Sequence, residues 1–252
     1  MTAYRLFYVS ILFAGGILYA AGVVANENSP KKSKENESTK KTSAAQIVYV
    51  PPVRGAPTTR TIGAGTRGSY SQQSLDLLVM APDHTGWTST HEPTLYWYIN
   101  QELPVPVEIT LINEAAEDPL LETVLEPTHH VGFHGLSLKD HNVQLKPGIE
   151  YQWFVSAVVD AQHRSNDILA SGTIQYISGS EQFKQRLVNQ SASSVAVFYA
   201  SEGYWYDAIH TLETEIKRRP DNVELQKQKT QLLLQAKLAG ALEITVSNAV
   251  TD

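Results

Sequence analysis

Leu145-Lys146-Pro147-Gly148-Ile149-Glu150-Tyr151-Gln152-Trp153-Phe154-Val155-Ser156-Ala157-Val158 hands the chain from a turn to a strand. Proline presets φ, and glycine accepts the left-handed conformation that closes the turn, so Lys146-Pro147-Gly148 reads as the turn. The residues after it are aromatic and β-branched, which favours a strand. Side chains alternate along an extended chain, so Tyr151, Trp153, Val155 and Ala157 share one face and Gln152 and Ser156 the other. Phe154 is a large exception on the polar face.

Leu145, Pro147, Gly148 and Tyr151 occupy the positions of a tyrosine corner. The stretch resembles that corner in immunoglobulin-like and fibronectin type III domains, where the tyrosine hydroxyl bonds back to the upstream backbone. The resemblance covers this corner and strand and implies an antiparallel β-sandwich. Further strands are expected at Leu75–Met80, Thr94–Ile99, Val105–Asn113, Leu121–Leu125, Val131–Leu138 and Ile168–Ile177, with the corner strand at Tyr151–Val159. This spacing suits a two-sheet domain, assigned to residues 51–178 with an Arg/Gly-rich loop at its start.

After Ile177 the apolar period lengthens. Helices are expected at Glu181–Leu187, on either side of Gly203, and from Val223 to about Ala239, with Asp221 and Glu224 as the ends of a capping box. Val195, Ala196, Tyr199, Ala208, Leu212 and Ile216, closed by Pro220, resemble a single tetratricopeptide repeat. One repeat leaves an apolar face in water, so the helical tail, residues 179–240, needs a further surface. Trp205 and Tyr206 follow the Gly203 break, where they either dock on the sheets, the preferred reading, or receive a partner. Residues 241–252 read as a flexible C-terminus. The fold class is therefore mainly β with a smaller α part.

Arg5 followed by an apolar run from Leu6 to Ala21 and by Val23-Val24-Ala25 reads as a secretory signal peptide over residues 1–25, cleaved after Ala25. The rival is an uncleaved inner-membrane anchor, for which the run is short, since a span needs about 20 apolar residues. The expected location is periplasmic or secreted. Residues 26–50, rich in Lys, Glu, Ser, Thr and Asn, read as a disordered linker. The 252-residue chain carries a net charge of −6, which gives no electrostatic reason to expect nucleic acid. Cysteine is absent, which excludes disulfides, cysteine nucleophiles and thiolate metal sites.

Arg54-Gly55-Ala56-Pro57, Gly65-Thr66-Arg67-Gly68, Glu92-Pro93-Thr94-Leu95-Tyr96-Trp97-Tyr98, Tyr151-Gln152-Trp153, Arg164-Ser165 and Trp205-Tyr206-Asp207-Ala208 together resemble an uncharacterised bacterial exported family. The resemblance spans most of the chain after the linker. It implies export and architecture, and brings no activity, substrate or catalytic residue. Members of that family carry cysteines near the Thr-Arg-Gly stretch and before the Arg-Ser pair. This chain has none, so packing must take the role of any bridge there.

Four sets of residues were weighed for chemistry. Gly63–Gly68 formally matches a dinucleotide fingerprint but lacks the strand before it and the helix after it, so it is read as a false match. Arg54, Arg60 and Arg67 among glycines form a candidate anion-binding loop, against an extended segment laid over the sheets. Trp87, Tyr96 and Tyr98 are candidates for a sugar-stacking surface, with core packing or cover from the arginine loop as the preferred reading. His129, His130, His134 and His141 are candidates for a metal, yet on one strand His130 and His134 stand about 13 Å apart. No nucleophile elbow is present, and the acids are scattered. The sequence points to a non-enzymatic binding or assembly module with no cofactor, whose partner is another envelope protein and whose only membrane contact is an uncleaved N-terminus. The alternatives are a glycan- or anion-binding protein and a metal-dependent enzyme using the histidines.

Overall fold

The turn and strand at Leu145–Val158 are both present in the computed structural model, which describes residues 46–52, 65–70, 73–113, 118–127 and 129–238. Tyr151, Trp153, Val155 and Ala157 are buried together, as the two-residue period requires. The Tyr151 hydroxyl accepts a hydrogen bond from the Lys146 amide at 3.1 Å, which pins the turn to the strand it feeds.

The protein is mainly β with a smaller α part. In chain order the strands are β1 (Gly65–Tyr70), β2 (Gln73–Val79), β3 (Gly86–Thr88), β4 (Thr94–Ile99), β5 (Val107–Ile112), β6 (Leu121–Leu125), β7 (Gly132–Ser137), β8 (Glu150–Ala157) and β9 (Ile168–Tyr176). They form a four-stranded sheet, β1-β2-β4-β7, and a five-stranded sheet, β3-β9-β8-β5-β6. All seven expected strands are among them. The two that the sequence hid are β1 and β3. β1 lies in the Gly-rich stretch read as loop, and it pairs with β2 from Gly65↔Leu78 to Tyr70↔Gln73. Backbone pairing carried it despite two glycines, because the ladder needs amides and carbonyls rather than side chains.

β3 corrects the antiparallel expectation. The chain leaves β2 in one sheet and joins the other beside β9, running parallel to it from Gly86↔Ile174 to Thr88↔Tyr176. A strand only three residues long can be placed by the loops at its ends, whatever its direction.

The inward faces of the two sheets contribute to one apolar core, including Leu75, Leu77, Leu95, Trp97, Ile109, Leu111, Trp153 and Ile174. Gly172 is needed where β9 passes Trp153, since a Cβ there would lie 2.4 Å from the Ala81 Cβ and 3.1 Å from the indole nitrogen.

Four helices follow: α1 (Glu181–Val188), α2 (Val195–Ser201), α3 (Trp205–Arg218) and α4 (Val223–Gln235). The Ser180 side chain caps α1 by accepting from the Phe183 amide. The cap of α4 is Asn222, whose side chain accepts from the amides of Glu224 and Leu225, and not Asp221 as the capping-box pattern suggested. Asn222 stands one residue nearer the helix, at the distance from which a short side chain reaches the first orphan amides.

The core does not stop at the sheets. Ala196, Ala200, Trp205, Tyr206, Ala208 and Leu212 are buried in it with the strand residues. The Trp205 indole donates to the Met80 carbonyl at 2.8 Å. The Trp153 indole donates to the Tyr206 hydroxyl at 2.9 Å, and that hydroxyl donates in turn to the Thr173 carbonyl at 2.9 Å. Trp205 and Tyr206 are thus docked side chains.

The last residues of the stretch assigned to the linker are packed. Ile47 is 0% exposed and Tyr49 7% exposed, both within the same core.

Candidate functional site

Thr88, at the end of β3, begins the loop that leads to β4, and the first turns of α3 pack against it. Between them opens a cleft of about 380 Å³, which also reaches Ser137, Lys139 and Tyr199. Asp207, in the first turn of α3, holds the loop in place. One carboxylate oxygen accepts from the Ser89 amide at 2.9 Å, and the other from the Ser89 hydroxyl at 2.6 Å. Asp207 is buried, and burial pushes its pKa up to about 6, with hydrogen bonds from Ser89 and Thr88 acting against that rise. The bonds favour the charged form, but the loss of solvent outweighs them.

One turn along, the His210 ring shares a 2.9 Å hydrogen bond with the Tyr96 hydroxyl. Burial holds the His210 pKa below its ordinary value, and the Lys217 charge lowers it further. Burial, with the nearby Glu213 charge, pushes the Tyr96 phenol up to about 12. The next polar group on the helix, Glu213, forms a buried ion pair with Lys229 of α4 at 2.6 Å. The Lys229 ammonium also lies 3.1 Å from the centroid of the Phe133 ring. Residues three apart share a helix face, so Asp207, His210 and Glu213 make one polar stripe along α3.

The chemistry of the cleft follows from how these groups are engaged. Ser89 donates straight to Asp207, and His210 faces Tyr96, so the three do not form a nucleophile–base–acid relay. The rim carries both charges. Glu92 accepts from the Gln144 amide at 3.1 Å, and Lys139 is exposed. Hydroxyls of Thr94, Ser137 and Thr211 line the wall with Tyr199. Donors and acceptors are mixed, which suits a small polar ligand that has both.

A model of the family described as Domain of Unknown Function (DUF928) matches residues 62–246. The chain belongs to this family. The match spans Ser89, Glu92, Lys139, Asp207 and His210, so the whole cleft lies in the family domain. No curated protein matches the sequence.

The residues singled out from the sequence lie elsewhere, or are buried. Tyr96 and Tyr98 are buried and offer no stacking surface. Tyr96 is covered by α3 through His210, and Tyr98 packs on Phe133 with ring centroids 5.1 Å apart. Trp87 is half-buried, 6.0 Å from the ring of Tyr204. Trp205 and Tyr206 are buried in the core, and Tyr206 also lines the cleft. Arg54 and Arg60 lie outside the described residues, and of Arg67 only the backbone, in β1, is described.

The histidines do not lie along one strand. β7 begins at Gly132, whose φ of 129° bends the chain after His130. His134 donates from Nε2 to the His130 carbonyl at 2.7 Å, stacks on Trp97 at 5.6 Å and meets the His129 ring at 5.7 Å. Burial lowers the pKa of both His129 and His134. His141 ends the short helical turn after β7. Among the described residues no three His, Asp or Glu side chains are grouped to hold a metal ion.

Sequence reasoning did not assign Ser89, Glu92, Lys139, Asp207 or His210 to a site, although Glu92 and Asp207 stand in the motifs that carry the family resemblance. A signal for Asp207 was present: an acid between Trp205-Tyr206 and Ala208, on the face of a helix that must be buried. A carboxylate there demands donors.

Proposed function

We propose that the protein is an exported, non-enzymatic binding module of the bacterial envelope, and that the cleft beside α3 is its ligand site. The observation that carries this is the double clamp of Ser89 by buried Asp207. It fixes the cleft wall in advance. A preformed cleft with mixed donors and acceptors binds small polar molecules without first ordering its own loops. The glycan alternative belongs at this cleft and not at Tyr96 and Tyr98.

The wider architecture fits the same reading. Two sheets with a Tyr151–Lys146 corner support an immunoglobulin-like sandwich. The α2–α3 pair, closing on Ala196, Ala200 and Ala208, supports a hairpin of the tetratricopeptide kind. Among the described residues no helix is long and apolar enough to cross a membrane. We take the N-terminal apolar run as the export signal and another envelope protein as the macromolecular partner.

Calorimetric titration with panels of neutral sugars, amino acids and small carboxylates tests the cleft. Saturable binding by one panel, abolished by Lys139→Ala or Glu92→Gln with the unfolding midpoint kept, is the expected result. Failure of all three panels, or binding indifferent to both substitutions, removes the cleft as a ligand site. Sequencing of the mature N-terminus should find Asn26, and an intact Met1 in a cytoplasmic fraction would remove the export reading.

A further inference from the structure

Independently of the cleft, the way residues 47–50 are held has the form of peptide recognition. Gln235, the last residue of α4, reads the backbone in both directions. Its carbonyl accepts from the Tyr49 amide at 2.8 Å, and its NH₂ donates to the Ile47 carbonyl at 3.1 Å. The Val50 amide donates to the Ala200 carbonyl of α2 at 3.0 Å. Side chains alternate. Ile47 and Tyr49 point into the core, while Val48 and Val50 are each 50% exposed. The Tyr49 ring stacks on His84 at 5.7 Å and stands edge-on to Trp205 at 5.1 Å, and its hydroxyl bonds His84 Nε2 at 2.8 Å. Gly203 keeps the floor clear, since a Cβ there would approach the Val50 carbonyl to 3.1 Å. Main-chain bonds supply affinity, and two alternate pockets supply selectivity, as in strand-type peptide recognition.

The one sequence shown to fit this groove is the chain's own. We propose that the groove also takes residues 47–50 from a second copy, so that two chains exchange straps and form a dimer. Residues 53–64 join the strap to β1, and twelve residues extended reach about 40 Å, enough to cross to a neighbour. Within one chain the strap's effective concentration is on the order of millimolar, so the intrachain form dominates in dilute solution. Exchange takes place when chains fold side by side, and burial of Ile47 and Tyr49 then slows its reversal.

The chain has no cysteine, so introduced thiols report without background. Val50 and Ser201 are neighbours through the Val50–Ala200 bond, and both are accessible. Two differently tagged chains, one carrying Val50→Cys and the other Ser201→Cys, are refolded together and oxidised. The double variant V50C/S201C serves as the geometry control. The expected result is a mixed-tag disulfide whose yield relative to the uncrosslinked monomer rises about tenfold for a tenfold rise in refolding concentration. Light scattering of the refolded wild-type chain should show a matching dimer that persists on dilution. Intrachain disulfide in the control with no mixed-tag product overturns the proposal. So does a wild-type chain that is monomeric at every refolding concentration, whatever the thiols do.

Discussion

Around Trp153 the two sheets meet through aliphatic and aromatic side chains, and position is set by shape. Along α3 the helix meets the sheets and loops through Asp207–Ser89, His210–Tyr96 and Glu213–Lys229, and position is set by matched polar groups. Apolar packing tolerates many arrangements at modest loss, whereas a buried polar group without its partner is heavily penalised. The first region belongs to one apolar core that also buries Trp205, Tyr206, Ala208 and Leu212. The second fixes the angle at which the helices lie, and with it the shape of the cleft.

The largest effects should come from the aromatic anchors. Trp153→Ala should lower stability by about 3–5 kcal/mol. Trp205→Ala should do so by a similar amount, because its indole is equally buried and bonded to the strand end at Met80. Calorimetry should show one shifted transition in each case. A Trp205 variant that melts its helices first and leaves the sheets at the wild-type midpoint would break the comparison, making the helices an accessory layer. Lys146→Ala, at an exposed turn, should stay within about 0.5 kcal/mol of wild type.

The polar region comes next. Lys229→Ala leaves Glu213 buried without its cation and should cost about 3 kcal/mol by urea titration. Lys184→Ala breaks the exposed pair with Glu181 and should leave the urea midpoint close to that of wild type. Equal effects from the two would mean that the α3–α4 pair is solvated in solution.

Asp207 gives the comparison a pH signature. Its folded pKa, about 6, stands above its unfolded value, so between roughly pH 4 and pH 6 the folded state binds more protons than the unfolded one. This group alone therefore makes the protein lose stability as pH rises through that window, by about 2 kcal/mol. Asp207→Asn should remove that slope, seen as the difference between the two stability–pH curves. Parallel curves would show that Asp207 is not raised. The smallest effect concerns the cap. Asn222→Ala should cost about 1 kcal/mol and Asp221→Ala close to nothing, and the reverse order would restore the capping-box reading.

What the sequence disclosed depends on the range of the interaction. Tyr151 and Trp153 were legible because a two-residue period and a Pro-Gly turn lie within a few positions of each other. α1 and α4 were legible because caps and apolar spacing are local, and even there the cap was misplaced by one residue. β1 was hidden by its glycines, and β3 by its length. The cleft was illegible for a different reason: Ser89 and Asp207 are 118 positions apart, and nothing local in either marks the other. Tyr96 was noticed for its ring, but its role lies in a hydroxyl that meets a histidine 114 positions away.

The grip of Gln235 on Ile47 and Tyr49 has a consequence for how the chain comes into being. These contacts join residues 186 and 188 positions apart, across nearly the whole span of the described residues. A polypeptide that emerges from the ribosome N-terminus first presents Ile47 early, with nothing to receive it until the end of α4 arrives. Closure entropy must be met before such distant contacts return anything, which makes folding slow and late. The segment at Ile47–Tyr49 therefore stays unseated through most of synthesis and is gripped by Gln235 only when the last helix is complete.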